Sequence, residues 1–190
     1  MSEFFEDKDF TVSDCGHIIF QHNSFENCSF TNCDLSKADF SEATFIDCKF
    51  IDCNLSLAEL HGTNFRDVQF KGCKMLGLLF NDCNKFGVVF SFENCILNNA
   101  LFYKTKIKKT IFKSCRLQEV DFTECDVSGA VFNDCDLLNA KFENTILEKA
   151  DLTTAYNYII DPEINKIKQA RFSLQGVAGL LHKYNIIINV

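Results

Sequence analysis

The sequence contains no hydrophobic run as long as 18 residues, so a membrane-spanning helix is not expected. Its first ten residues, MSEFFEDKDF, are acidic and lack both the basic and the apolar region of a secretory signal, which predicts a cytoplasmic protein. CxxC pairs, an HExxH motif and a glycine-rich phosphate loop are absent as well. These absences argue against a secreted or membrane protein, a cysteine-rich zinc site and the common metal- or nucleotide-dependent enzymes.

Histidines are few and isolated. The four histidines are His17, His22, His61 and His182. No nucleophile or carboxylate stands near any of these histidines at a spacing typical of catalysis. We therefore expect no enzymatic activity, no catalytic residue, no metal ion and no cofactor.

A five-residue repeat runs through most of the chain, whose 190 residues, 47% hydrophobic and 24% charged, suit one globular domain. In FENCSFTNCDLSKADFSEATF, residues 25 to 45, Phe or Leu stands at every fifth position. A period of five suits neither an α-helix nor a flat β-strand. Fixed-period similarity over this length predicts a stacked solenoid.

A second period, of twenty residues, indicates how the solenoid closes. One column of hydrophobic residues consists of Leu35, Leu55, Met75, Leu97, Leu117 and Leu137. Two other columns are mostly Phe, and a fourth changes from Phe25, Phe45 and Phe65 to Ile107, Val127 and Leu147. Four five-residue units therefore make one coil, and the solenoid is expected to have four sides.

Cysteine is abundant, with eleven residues, and its spacing follows the repeat. Nine stand two residues before a repeat hydrophobe: Cys28, Cys33, Cys48, Cys53, Cys73, Cys95, Cys115, Cys125 and Cys135. Other repeats have Ala, Thr or Val there, so Cys is interpreted as a small buried apolar residue and not as a metal ligand. Cys15 and Cys83 lie outside this set. Stacked Cys side chains in a parallel ladder point the same way, so we expect eleven free thiols.

The repeat changes phase within residues 81–91, where NDCNKFGVVF adds two residues. Lys85 occupies the position of a core hydrophobe, and Phe86 is expected to fill the core in its place. The extra pair is either an absorbed insertion or a functional loop. We favour the absorbed insertion.

The repeat ends after Leu152, which divides the chain into an N-terminal cap (1–15), a β-helix (16–154) and a capping and dimerisation segment (155–190). AYNYIIDPEINKIKQARF predicts two short strands around Pro162, SLQGVAGLLHKYN a helix with Ser173 as its N-cap, and IIINV a last strand. The helix presents four apolar or aromatic residues along one side: Leu174, Val177, Leu181 and Tyr184. This stripe is more apolar than a cap requires, so we expect it to join two chains tail to tail in a homodimer.

CDLSKADFSEATF and KADLTTA resemble the A(D/N)LXX motif of the pentapeptide-repeat family, and the resemblance covers residues 16–154. It implies an all-β, right-handed quadrilateral β-helix with a short C-terminal strand/helix cap. At the usual strand spacing of about 4.8 Å, seven coils give a rod of roughly 34 Å.

Three further segments, CKMLGLLF, SFENCILNNALFYKTKI and ARFSLQGVAGLLHKYNIII, resemble bacterial immunity and quinolone-resistance proteins of the AlbG, McbG and Qnr type. That resemblance implies a cytoplasmic bacterial homodimer that mimics duplex DNA and protects DNA gyrase or topoisomerase IV from a toxin or drug. Qnr-type members often carry longer loops than the two-residue slip found here. The short slip favours the toxin-immunity branch.

Acidic residues gather on one predicted side of the rod. The formal net charge of −7 divides into −4 for residues 1–14, −5 for 15–154 and +2 for the remainder. One net charge per about 7 Å of rod is a weak imitation of duplex DNA, which carries one per roughly 1.7 Å. The clustering is the better argument. The side centred on Phe40 and Phe122, which we call the acid face, carries Asp39, Glu42, Glu59, Asp82, Asp121, Glu124 and Glu143 against Lys104 and Lys141. We expect the first six of these acids to contact the partner.

Two other interpretations stay open at the sequence level. Acidic residues are also what the repeat tolerates in a solvated turn, and the protein would then be a non-catalytic scaffold or interaction module with a different protein partner. Direct nucleic-acid binding and membrane binding are not expected. YKTKIKKTIFK, residues 103–113, gathers five lysines, but the broad basic surface and stacking aromatics of a nucleic-acid site are missing.

Overall fold

The computed structural model of the chain describes residues 2–85 and 88–188. Its strands are β1 (Phe4–Glu6), β2 (Asp9–Phe10), β3 (Ser24–Glu26), β4 (Ser29–Thr31), β5 (Thr44–Ile46), β6 (Lys49–Ile51), β7 (Asn64–Arg66), β8 (Val68–Lys71), β9 (Phe90–Glu93), β10 (Ile111–Lys113), β11 (Val131–Asn133), β12 (Asp151–Leu152) and β13 (Arg171–Phe172). Its helices are α1 (Val12–Cys15), α2 (Ala178–Leu181) and the 3₁₀ turns Phe80–Asp82, Gln175–Val177 and His182–Tyr184. None of the helices in these described residues has the length and apolar character needed to cross a membrane.

The strands stack in parallel ladders. One sheet contains nine strands in the order β2-β4-β6-β8-β9-β10-β11-β12-β13, and a second contains β1, β3, β5 and β7. Isolated parallel bridges, such as Arg116 with Asp136 and Asp39 with Glu59, form the other two sides. The predicted right-handed quadrilateral β-helix is confirmed. At about 4.8 Å per strand, the nine-stranded sheet is roughly 38 Å long.

The corners of the coil have a regular backbone. The second residue after a core hydrophobe repeatedly has a positive φ, as at Asn27 (49°), Asn32 (56°) and Asp52 (52°). Asn, Asp and Gly adopt this left-handed conformation at the least cost, which explains their frequency in the turns. Side chains at these corner positions leave the core and face solvent.

Phenylalanine rings fill the interior and stack along the rod. Phe112 lies between Phe92 and Phe132, with ring centroids 5.1 Å apart on both sides and nearly parallel planes. All three rings are fully buried. Because each ring contacts the next coil, burial of apolar surface couples neighbouring coils.

Cys and Thr at the position two residues before a core hydrophobe have a polar role as well as a small size. Cys48 and Cys73 place their Sγ atoms 3.4 Å from the carbonyl oxygens of Phe25 and Phe50, each 23 residues earlier. At the equivalent position, Thr63 donates its hydroxyl to the carbonyl oxygen of Phe40 at a distance of 2.7 Å. Thiol and hydroxyl groups thus satisfy buried carbonyls that an alanine leaves to other donors. Interpreting Cys as a small apolar residue captured its packing but missed this bond.

The expectation of eleven free thiols is wrong at one pair. Cys15 and Cys33 form a disulfide, with Cα atoms 6.0 Å apart. Cys15 lies in α1 and not in the stacked ladder, so the parallel orientation that disfavours a disulfide between ladder cysteines does not apply to it. The other nine cysteines are free and buried.

We predict nine titratable thiols in the unfolded, unreduced protein and eleven after reduction. In the native protein the nine free thiols should react slowly, because all of them are buried. Burial also raises the pKa of Cys48 and that of Cys125 to about 12, which disfavours the reactive thiolate at neutral pH. Titration with a chromogenic disulfide reagent counts the reactive thiols of the unfolded unreduced protein, the reduced protein and the native protein. A Cys15→Ser control should show ten thiols without reduction; eleven thiols in the unreduced wild type would contradict the disulfide.

Strand pairing continues across the phase change, because β8 pairs with β9 and Phe70 lies opposite Phe92. Phe86, expected to fill the core, lies outside the described residues. The ring of Phe90 lies in the core near the phase change, with centroids 5.4 Å from the Phe65 ring and 5.3 Å from the Phe80 ring. Lys85 is exposed.

The expected pair of strands around Pro162 is instead a further coil. Lys166 forms a parallel bridge with Ile146, and β13 pairs with β12. The buried amide of Asn165 donates to the carbonyl of Phe142 at 2.8 Å, as Cys or Thr does in earlier coils. This coil was not predicted from the sequence, because Asn165 supplies the hydrogen-bond donor in place of the Cys or Thr of earlier coils and so breaks the repeat pattern.

The parallel ladders therefore run from Phe4 to Phe172, beyond the expected limits of 16 and 154. In the C-terminal segment the hydroxyl of Ser173 accepts a hydrogen bond from the Gly176 amide at 3.0 Å, as a cap does. The helix that follows is short, because only α2 is α-helical and 3₁₀ turns flank it. Residues 186–188 form no strand, and 189–190 lie outside the described residues.

Candidate partner-binding surface

The acid face lies on one side of the β-helix, as the repeat predicts. One row along this side runs from Asp39 to its bridge partner Glu59, and further along from Leu101 to Asp121 and Lys141. Asp39 and Asp121 accept hydrogen bonds at 2.8 Å from the backbone amides two residues later, which orients both carboxylates. The other acids predicted to bind the partner are more exposed; they are Glu42, Glu59, Asp82 and Glu124.

The acids form two groups and not one continuous stripe. Asp39, Glu42, Glu59 and Asp82 lie toward the N-terminal end, and Asp121, Glu124 and Glu143 toward the C-terminal end. Between the groups stand Leu79, 41% exposed, the half-buried Leu101 and the exposed Tyr103. Sequence sorting by charge missed this apolar interval because it counted only Asp, Glu, Lys and Arg.

Lys104 partly neutralises the C-terminal group. Its ammonium nitrogen lies 3.5 Å from Glu124 Oε2, and the Tyr103 hydroxyl donates to Oε1 of the same carboxylate at 3.4 Å. Both side chains of the ion pair are about half exposed, so solvent screens the attraction. Within residues 2–85 and 88–188, no acid of the N-terminal group forms such an ion pair.

The lysines of residues 103–113 are distributed among acidic neighbours. Lys108 lies 3.1 Å from Asp126, and Lys113 lies 2.9 Å from Glu93. Burial opposes ionisation of Asp126, but hydrogen bonds from Ser128 and Lys108 outweigh it and lower the pKa of Asp126 below its ordinary value. Together with the Lys104 pair, three of the five lysines face carboxylates on neighbouring coils. This arrangement does not form a basic nucleic-acid surface.

The predicted dimer residues lie in the C-terminal segment and leave apolar surface uncovered. Leu174 is 87% exposed, Val177 and Tyr184 are exposed, and Leu181 is half-buried. Tyr184 donates its hydroxyl to Glu163 at 2.8 Å, which holds the segment against the last coil. Leu180, on the other side, packs against the core.

The four histidines lie at the surface of the described chain. His17 and His22 line one cavity near the N-terminus, and His61 and His182 lie elsewhere. Within residues 2–85 and 88–188, no three His, Cys, Asp or Glu side chains are placed to hold a metal ion.

Comparison with known proteins shows which family the chain belongs to. The model of the pentapeptide repeat region matches residues 23–91 and 89–155. A trypsin-treated variant of QnrB1, a plasmid-mediated fluoroquinolone resistance protein, superimposes with a TM-score of 0.64 at 18% identity, covering 100% of this chain and 99% of that one. Full-length QnrB1 gives a TM-score of 0.50 at 20% identity and covers 98% and 99% of the two chains.

HetL, a pentapeptide repeat protein involved in heterocyst differentiation regulation in Nostoc sp. strain PCC 7120, gives a TM-score of 0.40 at 15% identity, over 92% and 88% of the chains. No curated protein is similar enough in sequence to count as a match. The likenesses to the two QnrB1 structures reproduce the fold that the repeat predicts, and the family model covers well over half of the chain. The chain therefore belongs to the pentapeptide-repeat family.

Proposed function

We propose that the protein is a DNA mimic of the bacterial cytoplasm that binds a type II topoisomerase, DNA gyrase or topoisomerase IV, and protects it from a toxin or a quinolone-like poison. The observation that carries this proposal is the acid face on a rigid rod. Within each of its two groups, carboxylates project from neighbouring coils at the spacing of stacked strands, which is the feature that resembles the phosphates of a duplex. The likeness in fold to a fluoroquinolone resistance protein supports it.

The mechanism requires no chemistry of its own. The rod enters the groove in which the topoisomerase holds its DNA segment, and basic residues of the enzyme meet the acids of the rod. DNA and the rod then compete for one site, so the protein clears or prevents the poisoned cleavage complex. An excess of the protein inhibits the enzyme for the same reason.

The test combines binding and activity. Protein immobilised from a purified preparation should retain the gyrase A or B subunit from a bacterial lysate. In a supercoiling assay with purified gyrase and a quinolone, a low dose should restore supercoiling and a high dose should inhibit it. If the protein neither binds nor affects gyrase or topoisomerase IV, the proposal fails and the scaffold function with another protein partner replaces it.

We further propose that two chains join tail to tail through Leu174, Val177, Leu181 and Tyr184, giving a rod of at least about 70 Å. The support is the exposed apolar surface of the C-terminal segment, whose Leu174 is 87% exposed. An isologous contact around a two-fold axis covers this surface on both chains at once.

Leu181→Asp is expected to convert the dimer into a monomer, because a charge would be buried in an apolar contact. Leu174→Asp should do the same without disturbing the fold of one chain, since Leu174 makes little contact within it. Light scattering gives the mass of each variant. Ile111→Asp, at a position 50% exposed on another side of the rod, is the control and should stay dimeric. If both leucine variants stay dimeric, the interface does not lie in the C-terminal segment and this proposal is wrong.

A further inference from the structure

Leu57 is an unusual residue for its backbone conformation. Its φ is 59°, and among the described non-glycine residues with positive φ it alone is apolar; the others are polar or charged. The left-handed conformation disfavours a leucine, and the side chain is 57% exposed, so little burial offsets the strain. Folding alone does not account for Leu57, and strain of this kind is typical of a functional position.

Leu57 forms one wall of a groove at the edge of the acid face. Leu79, 41% exposed, lines the same groove. Gly77 also lines it, and a Cβ atom there would lie 3.0 Å from Leu57 Cδ2. The absent side chain at position 77 thus lets Leu57 lie close to the backbone and keeps the groove open, with a cavity volume of about 520 Å³.

The rim of the groove is acidic. Glu59 and Asp82 line it together with His61, and both carboxylates are exposed. No Lys or Arg is found among the described residues that line it. Apolar walls below a carboxylate rim complement a long side chain with an aliphatic stem and a cationic head, which is the chemistry of arginine.

We propose that this groove binds an arginine side chain, and the apolar residue next to it, from the partner protein. The stem packs between Leu57 and Leu79, and the guanidinium reaches Glu59 and Asp82. The identity of the partner as a type II topoisomerase rests on the proposed function, whereas the chemistry of the groove does not. The groove adds an apolar contact that duplex DNA does not offer, so it distinguishes the mimic from the DNA it imitates.

The first experiment needs no topoisomerase. In the full-length protein with labelled leucine methyl groups, the capped peptide Arg-Leu-Arg-Leu at millimolar concentration should shift the NMR signals of Leu57 and Leu79. Glu-Leu-Glu-Leu should not. Leu57→Asn alone, which leaves Leu79 as the reporter, should abolish the shift of the Leu79 signals while preserving the fold, because Asn99 has the same backbone conformation two coils on. Equal shifts with both peptides, or none with either, would overturn the proposal.

The second experiment measures affinity for gyrase or topoisomerase IV across salt concentrations. The Leu57→Asn, Leu79→Ser variant should bind at least about tenfold more weakly at every salt concentration, with the salt dependence unchanged, because the lost contact is apolar. The control, Ile111→Thr with Leu138→Ser, removes two apolar side chains of similar exposure and should bind normally.

The outcomes separate the two proposals. If the wild type binds neither topoisomerase, the proposed function fails and the peptide experiment alone decides the groove. If the wild type binds and the groove variant binds equally well, the groove is not a partner site. If sedimentation shows self-association that only the groove variant loses, a second copy of the chain occupies the groove and the proposal is overturned.

Discussion

Neutralising four carboxylates of the acid face is expected to abolish protection of the topoisomerase. The variant is Asp39→Asn, Glu42→Gln, Asp121→Asn and Glu124→Gln. Because these side chains project outward, the protein should stay folded; Asn at 39 and 121 also keeps the oxygen that accepts the backbone amide. Attraction between solvated charged surfaces weakens as salt rises, so the variant should also lose most of the salt dependence of binding.

The supercoiling assay with a quinolone measures this effect directly. We expect no restoration of activity at doses where the wild type restores it fully, and no inhibition at high dose. The matched control also removes four negative charges, but from other sides of the rod. Its substitutions, all at exposed positions, are Asp47→Asn, Asp52→Asn, Asp67→Asn and Asp134→Asn. Protection retained by the acid-face variant, or lost equally by the control, would refute the acid-face mechanism even if gyrase is the target.

Replacing Phe112 with Ala is expected to lower the free energy of unfolding by about 3–5 kcal/mol. The fully buried ring lies between Phe92 and Phe132, and its removal leaves a cavity that affects the coils on both sides. Denaturation in urea, followed by far-ultraviolet circular dichroism, gives the change. The neighbouring Ile111→Ala, at a half-exposed position, should cost less than about 1 kcal/mol.

A milder variant keeps this prediction measurable. If Phe112→Ala does not fold, Phe112→Leu should, because Leu152 occupies the same column of the core. Its expected cost is about 1–2 kcal/mol. A loss below about 1 kcal/mol for Phe112→Ala would show that the stacked rings do not couple the coils.

The fold could be predicted from the sequence because the same five-residue pattern recurs along most of the chain. A large hydrophobe at every fifth residue defines the core, and similar columns at every twentieth define the four sides. The sides of the rod follow from the same count, so the positions of Asp39 and Glu59 on one side were also predictable.

The remaining features depend on contacts that a repeat does not encode. Cys15 lies outside the ladder, and its bond to Cys33 follows from the position of α1. Asn165 continues the hydrogen bonding of the coil with a residue type that breaks the pattern. The apolar interval at Leu79 and the backbone strain at Leu57 were invisible to a sorting by charge, although Leu57 itself is recognisable from the repeat as an outward-facing apolar residue.

The most direct test of DNA mimicry is competition between the protein and duplex DNA for purified gyrase. Fluorescence anisotropy of a labelled duplex bound to gyrase should fall to the free value as the unlabelled protein is added. The protein concentration needed should rise in proportion to the DNA already present. If the protein binds gyrase but the duplex stays bound, so that a ternary complex forms, the two do not share a site and the account is contradicted.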